Sequence, residues 1–180
     1  LDFQGSYAEH FFYNLDNPET IWEHAFEHQI SDASRNLLLV LNSLPVRTGI
    51  NKVKQAFFSF HKYRTLKYNQ AQKSDDFKNA LRELNGSFIL IVPISRKSNF
   101  SIDFENPSIK DYINNYILKN FELISELCDS SIYFQQNLVL WNLFDSLKYK
   151  YGLELEDYSI IFVKSFIRTY YTDLREYDQW

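Results

Sequence analysis

The sequence predicts a mainly helical fold, in which a winged helix-turn-helix (helices plus a β-hairpin wing) is followed by a C-terminal helical region. Three observations predict it: the apolar content, the shortage of turn residues and a change of periodicity near residue 88. Hydrophobic residues make up 45% and aromatic residues 18% of the 180-residue chain, enough to fill a core. Glycine and proline occur four times each, whereas average usage gives roughly 13 and 9, so an all-β fold is disfavoured.

Before that change of periodicity near residue 88, apolar residues recur at the spacing of a helix. Asn17-Pro18-Glu19 indicates a helix start, because asparagine caps free amides and proline tolerates the first helical position. Ser31 then predicts the cap of a second helix, which Pro45 ends. A third helix is predicted over about residues 50–63. The residues of these two helices that are predicted to face the core are Leu37, Leu38, Leu41, Leu44, Val53, Ala56, Phe57 and Phe60.

A short helix and a hairpin complete the predicted winged helix. Ser74 predicts the cap of this helix, and Asn85-Gly86 predicts its left-handed end. Two strands are predicted at 88–92 and 100–104, joined by a polar turn at 95–99. Three helices followed by a hairpin is the order of a winged helix-turn-helix, with the hairpin as the wing.

The C-terminal region is predicted to be helical. Asn106-Pro107 repeats the cap-plus-proline signature, and two more helices are predicted around 131–148 and 154–176. The last helix carries an aromatic stripe that we interpret as packing; its members are Tyr158, Ile161, Phe162, Phe166 and Tyr170. The predicted division of the chain is an N-terminal segment at 1–30, a winged-helix domain at 31–105 and a helical region at 106–180.

Charge is distributed unevenly along the chain. No Asp or Glu lies between Ala33 and Ser74, where eight basic residues give +8, so the net charge of −4 leaves −12 for the rest. The helix over 74–85 would be the DNA-reading helix of a winged helix, but its acidic residues would repel phosphate. The basic stretch therefore favours a surface that faces a protein or a nucleotide, with nucleic acid as the alternative partner. The predicted interaction surface is Lys52, Lys54, Lys62, Arg64 and Lys67.

Residue spacing excludes several kinds of site. The four glycines are never closer than 37 residues, whereas P-loops and dinucleotide fingerprints need clustered glycines so that backbone amides can approach phosphates. The single cysteine, Cys128, cannot form an internal disulfide or a cysteine-based zinc site, which suits a reducing compartment. We therefore predict no catalytic residue and no cofactor, and we expect that this chain alone is not an enzyme.

One metal-binding pattern does occur, in the segment His24-Ala25-Phe26-Glu27-His28. It fits H-x-x-E-H, in which two histidines four residues apart hold zinc and the glutamate acts as a base. Only three positions are fixed, and a zinc site needs a third ligand that the sequence does not identify. His24 and His28 are therefore weak metal candidates, and a surface or interfacial histidine pair is the preferred interpretation.

The sequence also bears on localisation. No apolar run approaches the roughly 20 residues needed to span a bilayer, so we predict no membrane partner and a cytoplasmic protein. The segment Leu1–Ser6 lacks a starting methionine. It is either native sequence or the remnant of a cleaved affinity tag, and we assign no function to it.

Four segments carry a family resemblance: LDNPETIW at 15–22, RNLLL at 35–39, ALRELNGSFI at 80–89 and FENPSIKDY at 104–112. The last is the most specific. Together they resemble the region that follows the ATPase core in bacterial novel STAND-type P-loop NTPases, over about residues 7–145.

The resemblance implies a regulatory role. In that superfamily the core binds and hydrolyses ATP, a winged helix packs on it to hold an inactive state, and a C-terminal sensor region recognises a trigger. Activated members oligomerise, and bacterial members are often linked to defence against phage. This chain would then be the winged helix with the start of the sensor region, with its own upstream NTPase domain and further copies as partners. The alternative is a nucleic-acid-binding winged-helix protein that uses the basic stretch at 33–74.

The resemblance also points to a weak nucleotide-facing site. Other STAND proteins have a methionine-histidine-aspartate motif after the wing, whose histidine contacts phosphate. The matching place here is 104–106, with Glu105 where related sequences often have histidine, and a carboxylate cannot pair favourably with phosphate. Free amides at Asn106, Ser108 and Ile109 could still meet an anion. The alternative is a plain helix cap.

Overall fold

The computed structural model describes residues 22–94, 99–151 and 155–177. Most of the predicted N-terminal segment, including the helix start at Asn17-Pro18-Glu19, and the wing turn at 95–98 lie outside the described residues. The described chain begins with α-helical residues at 22–24, which continue into a π-helical turn, Ala25–Gln29. Arg35 stabilises the end of this turn, because its Nη1 lies within hydrogen-bond distance of the carbonyl oxygens of Phe26, Glu27 and Ile30.

Three helices of the winged helix follow. Helix α1 spans Asp32–Ser43, and its cap Ser31 accepts a hydrogen bond from the amide of Ser34, as its sequence predicts. Helix α2 spans Ile50–Lys67, four residues beyond its predicted end at 63. Helix α3 spans Asp76–Leu84.

The ends of α3 test two sequence predictions. The prediction that Ser74 caps this helix is wrong, because Asp75 occupies the cap position and its side chain makes no capping hydrogen bond. The left-handed end is confirmed: Gly86 has φ 80°, a conformation that glycine adopts without steric cost.

The wing is an antiparallel hairpin of β2 (Ile89–Pro93) and β3 (Phe100–Phe104), which confirms the predicted strands to within a residue. A third strand, β1 (Thr48–Gly49), pairs with β3 and gives the sheet order β1-β3-β2. This strand was not predicted, because two residues carry no periodicity. The order of helix, strand, two helices and two strands, with β3 central, gives the winged-helix architecture that the sequence predicts.

Four helices lie in the described part of the C-terminal region. Helix α4 spans Pro107–Leu118 and is capped by Asn106, as predicted. Helix α5, Phe121–Ser130, was not predicted as a separate helix. Helices α6 (Phe134–Tyr151) and α7 (Leu155–Tyr177) match the last two predicted helices.

Helix α1 lies at the centre of the described structure. Its residues 36–43 are all buried, as is Leu44, because α1 contacts the helices of the wing side and also α4, α5 and α6. All eight residues predicted to face the core are buried. Buried residues of both the winged helix and the C-terminal region form one continuous hydrophobic cluster. None of the described helices combines the length and the apolar character that crossing a membrane requires.

Candidate interaction surfaces

Two of the predicted basic residues lie against one buried carboxylate. Glu126, on α5, exposes only 2% of its side chain; Lys67 Nζ donates to it at 2.8 Å, and Arg64 Nε lies 3.3 Å from it. Tyr68 Oη donates to the same carboxylate at 2.6 Å, and Lys67 also bonds exposed Glu122. Hydrogen bonds to Glu122 and Glu126 raise the pKa of Lys67. Arg64 and Lys67 therefore tie the winged helix to the C-terminal region.

The other three residues of the predicted surface are exposed lysines on α2. Lys52, Lys54 and Lys62 have no ion pair within the part of the chain that the structure describes. Lys52 Nζ lies 5.5 Å from the ring centre of Tyr133, a cation–π contact that again joins α2 to the C-terminal region. Of the predicted five-residue surface, three lysines are therefore left without an ion pair among the described residues.

A buried hydrogen-bond relay joins the three helices of the winged helix. Arg64 Nη1 donates to Asn36 Oδ1 at 3.0 Å, Asn36 Nδ2 lies 2.9 Å from His61 Nδ1, and His61 Nε2 lies 3.0 Å from Asp76 Oδ2. Because an amide nitrogen only donates, Nδ1 accepts and the imidazole proton is on Nε2, facing Asp76. Both ring nitrogens are thus used within the fold, and this histidine–carboxylate pair serves structure.

Asp76 begins α3 and anchors the relay. Burial alone would raise the pKa of Asp76, but hydrogen bonds from the Lys73 amide, at 2.7 Å, and from His61 outweigh it and lower the pKa. Its carboxylate therefore stays charged at the start of α3, where it suits the positive end of the helix dipole. Sequence reasoning missed the relay because its members lie on three different helices.

The exposed face of α3, the helix that reads DNA in many winged helices, carries both signs of charge. Asp75, Lys78 and Arg82 are exposed. Glu83 instead turns towards α1, where it accepts hydrogen bonds from the amide of Ser31 at 3.1 Å and from its hydroxyl at 2.6 Å. Burial would raise the pKa of Glu83, but these bonds and one from Ser34 lower it. Glu83 thus extends the cap of α1.

The histidine pair lies at the surface. The rings of His24 and His28 are 5.3 Å apart, and His24 Nδ1 lies 3.2 Å from Gln29 Nε2. Among the described residues, no group of three His, Cys, Asp or Glu side chains is placed to hold a metal ion. The structure therefore brings the two candidate ligands together without placing a described third ligand beside them.

The candidate anion site at the start of α4 is a helix cap. Asn106 Oδ1 accepts from the amide of Ser108 at 2.9 Å, and the amide of Ile109 donates to the Asn106 carbonyl at 3.1 Å. Trp22 Nε1 donates to Ser108 Oγ at 3.0 Å, and Glu105 is exposed. The amides of Ser108 and Ile109 are thus used within the cap, and an anion contact stays a prediction.

An apolar stripe is exposed along α7. Ile160, Val163, Ile167 and Tyr170 expose 63%, 56%, 56% and 52% of their surface. Their spacing of three, four and three residues places them on one face of the helix. Tyr158 and Phe162, of the predicted packing stripe, are buried as expected, whereas Tyr170 stays half exposed. The sequence does not reveal the exposed stripe, because apolar residues lie on two faces of α7 and the pattern alone does not show which face is covered.

The one cysteine lies in the core. Cys128 is fully buried, and burial raises the pKa of its thiol to about 12. It therefore supplies no thiolate nucleophile near neutral pH.

Comparison of the chain with family models, with curated proteins and with solved structures finds no match.

Proposed function

We propose that the chain is a non-catalytic regulatory and interaction module of a STAND-like signalling NTPase, packing on the nucleotide-binding core and leading into a sensor region. The observation that carries the interaction role is the exposed apolar stripe of α7, Ile160, Val163, Ile167 and Tyr170. Contiguous exposed apolar surface is typical of protein contact sites. The opposite face of α7 packs on α5 and α6, so the stripe is presented on an anchored helix.

The ion pairs that two of the basic residues make within the fold support a protein partner over nucleic acid. Arg64 and Lys67 are neutralised by Glu126 and Glu122 inside the fold. Fewer free cations mean fewer phosphates neutralised and weaker attraction to a duplex. On the face of α3 that would approach DNA, the exposed Asp75 partly cancels the attraction of Lys78 and Arg82.

The resemblance in the sequence supplies the proposed setting. The partners are the nucleotide-binding core encoded upstream in the same protein and, on activation, further copies of it. The proposed cellular role is signal transduction in the cytoplasm, in defence against phage.

The role of the α7 stripe in binding is tested by placing negative charges at its centre. We expect Val163→Glu combined with Ile167→Glu to weaken binding of the separately expressed nucleotide-binding core about tenfold or more, because desolvating a carboxylate at an apolar contact is costly. Leu66→Glu is the matched control, since Leu66 is an exposed apolar residue on α2. Isothermal titration calorimetry measures both. Unchanged binding by the double variant contradicts the surface, and a natural gene with no P-loop upstream contradicts the STAND setting.

Nucleic-acid binding is the second candidate, favoured by the three unpaired lysines of α2. If Lys52, Lys54 and Lys62 serve a duplex, binding weakens with salt by a slope of about −0.9 per phosphate neutralised. We expect instead poor binding in a fluorescence-anisotropy titration of a mixed-sequence duplex at low and near-physiological salt. Submicromolar affinity at the higher salt, abolished when the three lysines are changed to glutamate, would replace the regulatory proposal.

A further inference from the structure

A cavity of about 260 Å³ lies between the N-terminal helical turn and the C-terminal half of α4. This is smaller than the roughly 300–1,000 Å³ of drug-sized ligand pockets and suits a single side chain or a small molecule. Two carboxylates, two phenols, one ammonium group and two amides line it. These residues are Glu23, Glu27, Tyr112, Asn115, Tyr116, Lys119 and Asn120.

Tyr112 lines this cavity and carries a buried hydroxyl. The residue is 6% exposed, and its Oη has no hydrogen-bond partner among the residues that the structure describes. Burial, followed by the carboxylates of Glu27 and Glu23, raises its pKa. The hydroxyl therefore lies in the field of the two carboxylates that form the cavity wall. A buried hydroxyl without a partner is costly in a folded protein, so a small rotation of Tyr112 towards the cavity would gain a hydrogen bond to a ligand atom.

The cavity wall is acidic and aromatic. Glu23 and Glu27 are exposed and have no ion pair among residues 22–94, 99–151 and 155–177. The rings of Tyr112 and Tyr116 lie 6.2 Å apart, and carboxylates beside aromatic rings favour organic cations. Lys119 opposes this attraction, but the two carboxylates leave the lining with a net negative charge.

We propose that this cavity binds a guanidinium group, supplied by a small molecule or by an arginine side chain of a partner protein. A guanidinium has five N–H donors in one plane, so it can bridge Glu23 and Glu27 and, once Tyr112 turns its hydroxyl into the cavity, also donate to the Tyr112 oxygen. Its flat face can pack on the ring of Tyr116. An ammonium group is a compact point charge without a planar fork of donors, so it matches two carboxylates and a phenol less well.

Two probes distinguish the sources of the guanidinium. Agmatine represents a small molecule, and acetyl-Gly-Arg-Gly-amide represents a partner's arginine, each titrated into the full chain by calorimetry. The matched ligand control is the same peptide with citrulline, which keeps the shape of arginine and lacks its charge. Binding of both probes supports a small-molecule ligand, and binding of the peptide alone supports a protein partner. Failure of both at millimolar concentration, or equal binding of the citrulline peptide, overturns the proposal.

Three variants locate binding at this cavity. We expect Glu27→Gln to weaken binding about tenfold, since it removes a charge-assisted hydrogen bond, and Lys119→Gln to tighten it. Tyr112→Phe should weaken binding and raise the thermal midpoint of the free protein, because it removes a hydroxyl that has no partner. Unchanged affinity in both Glu27→Gln and Tyr112→Phe, with native circular dichroism, places the ligand elsewhere and overturns the proposal.

Discussion

Glu126→Ala is expected to lower the free energy of unfolding by about 3 kcal/mol, because removing one partner of a buried ion pair leaves the opposite charges without a counter-charge. Glu126 accepts from Lys67 and Tyr68 and pairs with Arg64 while almost fully buried. Arg64 and Lys67 are only partly buried, so they regain some hydration, which keeps the loss at the lower end of the usual range. The variant should therefore loosen the attachment of α5 to the winged helix.

Urea unfolding followed by circular dichroism measures this loss. The matched control is Glu122→Ala, which removes an exposed carboxylate that bonds the same lysine. We expect a clearly smaller effect from it, since exposed ion pairs contribute little. Equal losses in the two variants would show that the buried carboxylate does not join the two regions.

Phe57→Ala is expected to cost about 3–5 kcal/mol, the usual range for a fully buried phenylalanine. Phe57 is 0% exposed and contacts Phe77 of α3. It also stacks on the imidazole of His61, with ring centres 4.9 Å apart and planes at 14°. The variant thus removes core volume and the support of the buried relay together.

Phe58→Ala is the control for this change, because Phe58 is the next residue and is only half-buried. Thermal and urea unfolding of both variants give the comparison. A loss at Phe57 no greater than that at Phe58 would mean that the core on this side of α2 is loosely packed.

Local signals explain the parts of the fold that the sequence predicts. Ser31 and Asn106 cap their helices through their own side chains, a property of two or three adjacent residues. Gly86 ends α3 because glycine adopts this left-handed conformation without steric cost. The hairpin follows from strand-like residues on both sides of a polar turn. Each of these features is decided within a few residues, so one sequence is enough to find it.

Features that depend on distant partners could not be predicted. Strand β1 forms only because β3 lies beside it. The cap position of α3 falls on Asp75 instead of the predicted Ser74, next to Asp76, whose carboxylate contacts His61. Helix α5 is different, because Asn120 caps it and could have marked its start.

The candidate surfaces were predicted least well, for the same reason. Composition identified Arg64 and Lys67 as basic but could not place Glu126, 59 residues beyond Lys67, against them. The sequence of α7 is apolar on two faces, and only the packed neighbours decide which face is covered. The unpaired hydroxyl of Tyr112 likewise has no signature in the sequence.

The π-helical turn Ala25–Gln29 sets the direction of the Trp22 side chain relative to α4. Its wider hydrogen-bonded ring holds one more residue than an α-turn, and each residue of an α-helix advances by about 100° around the axis. At the observed rotation, Trp22 reaches Ser108 and packs on Phe88. A chain one residue shorter here would rotate Trp22 away from both by about 100°. The length of this segment therefore determines where Trp22 docks.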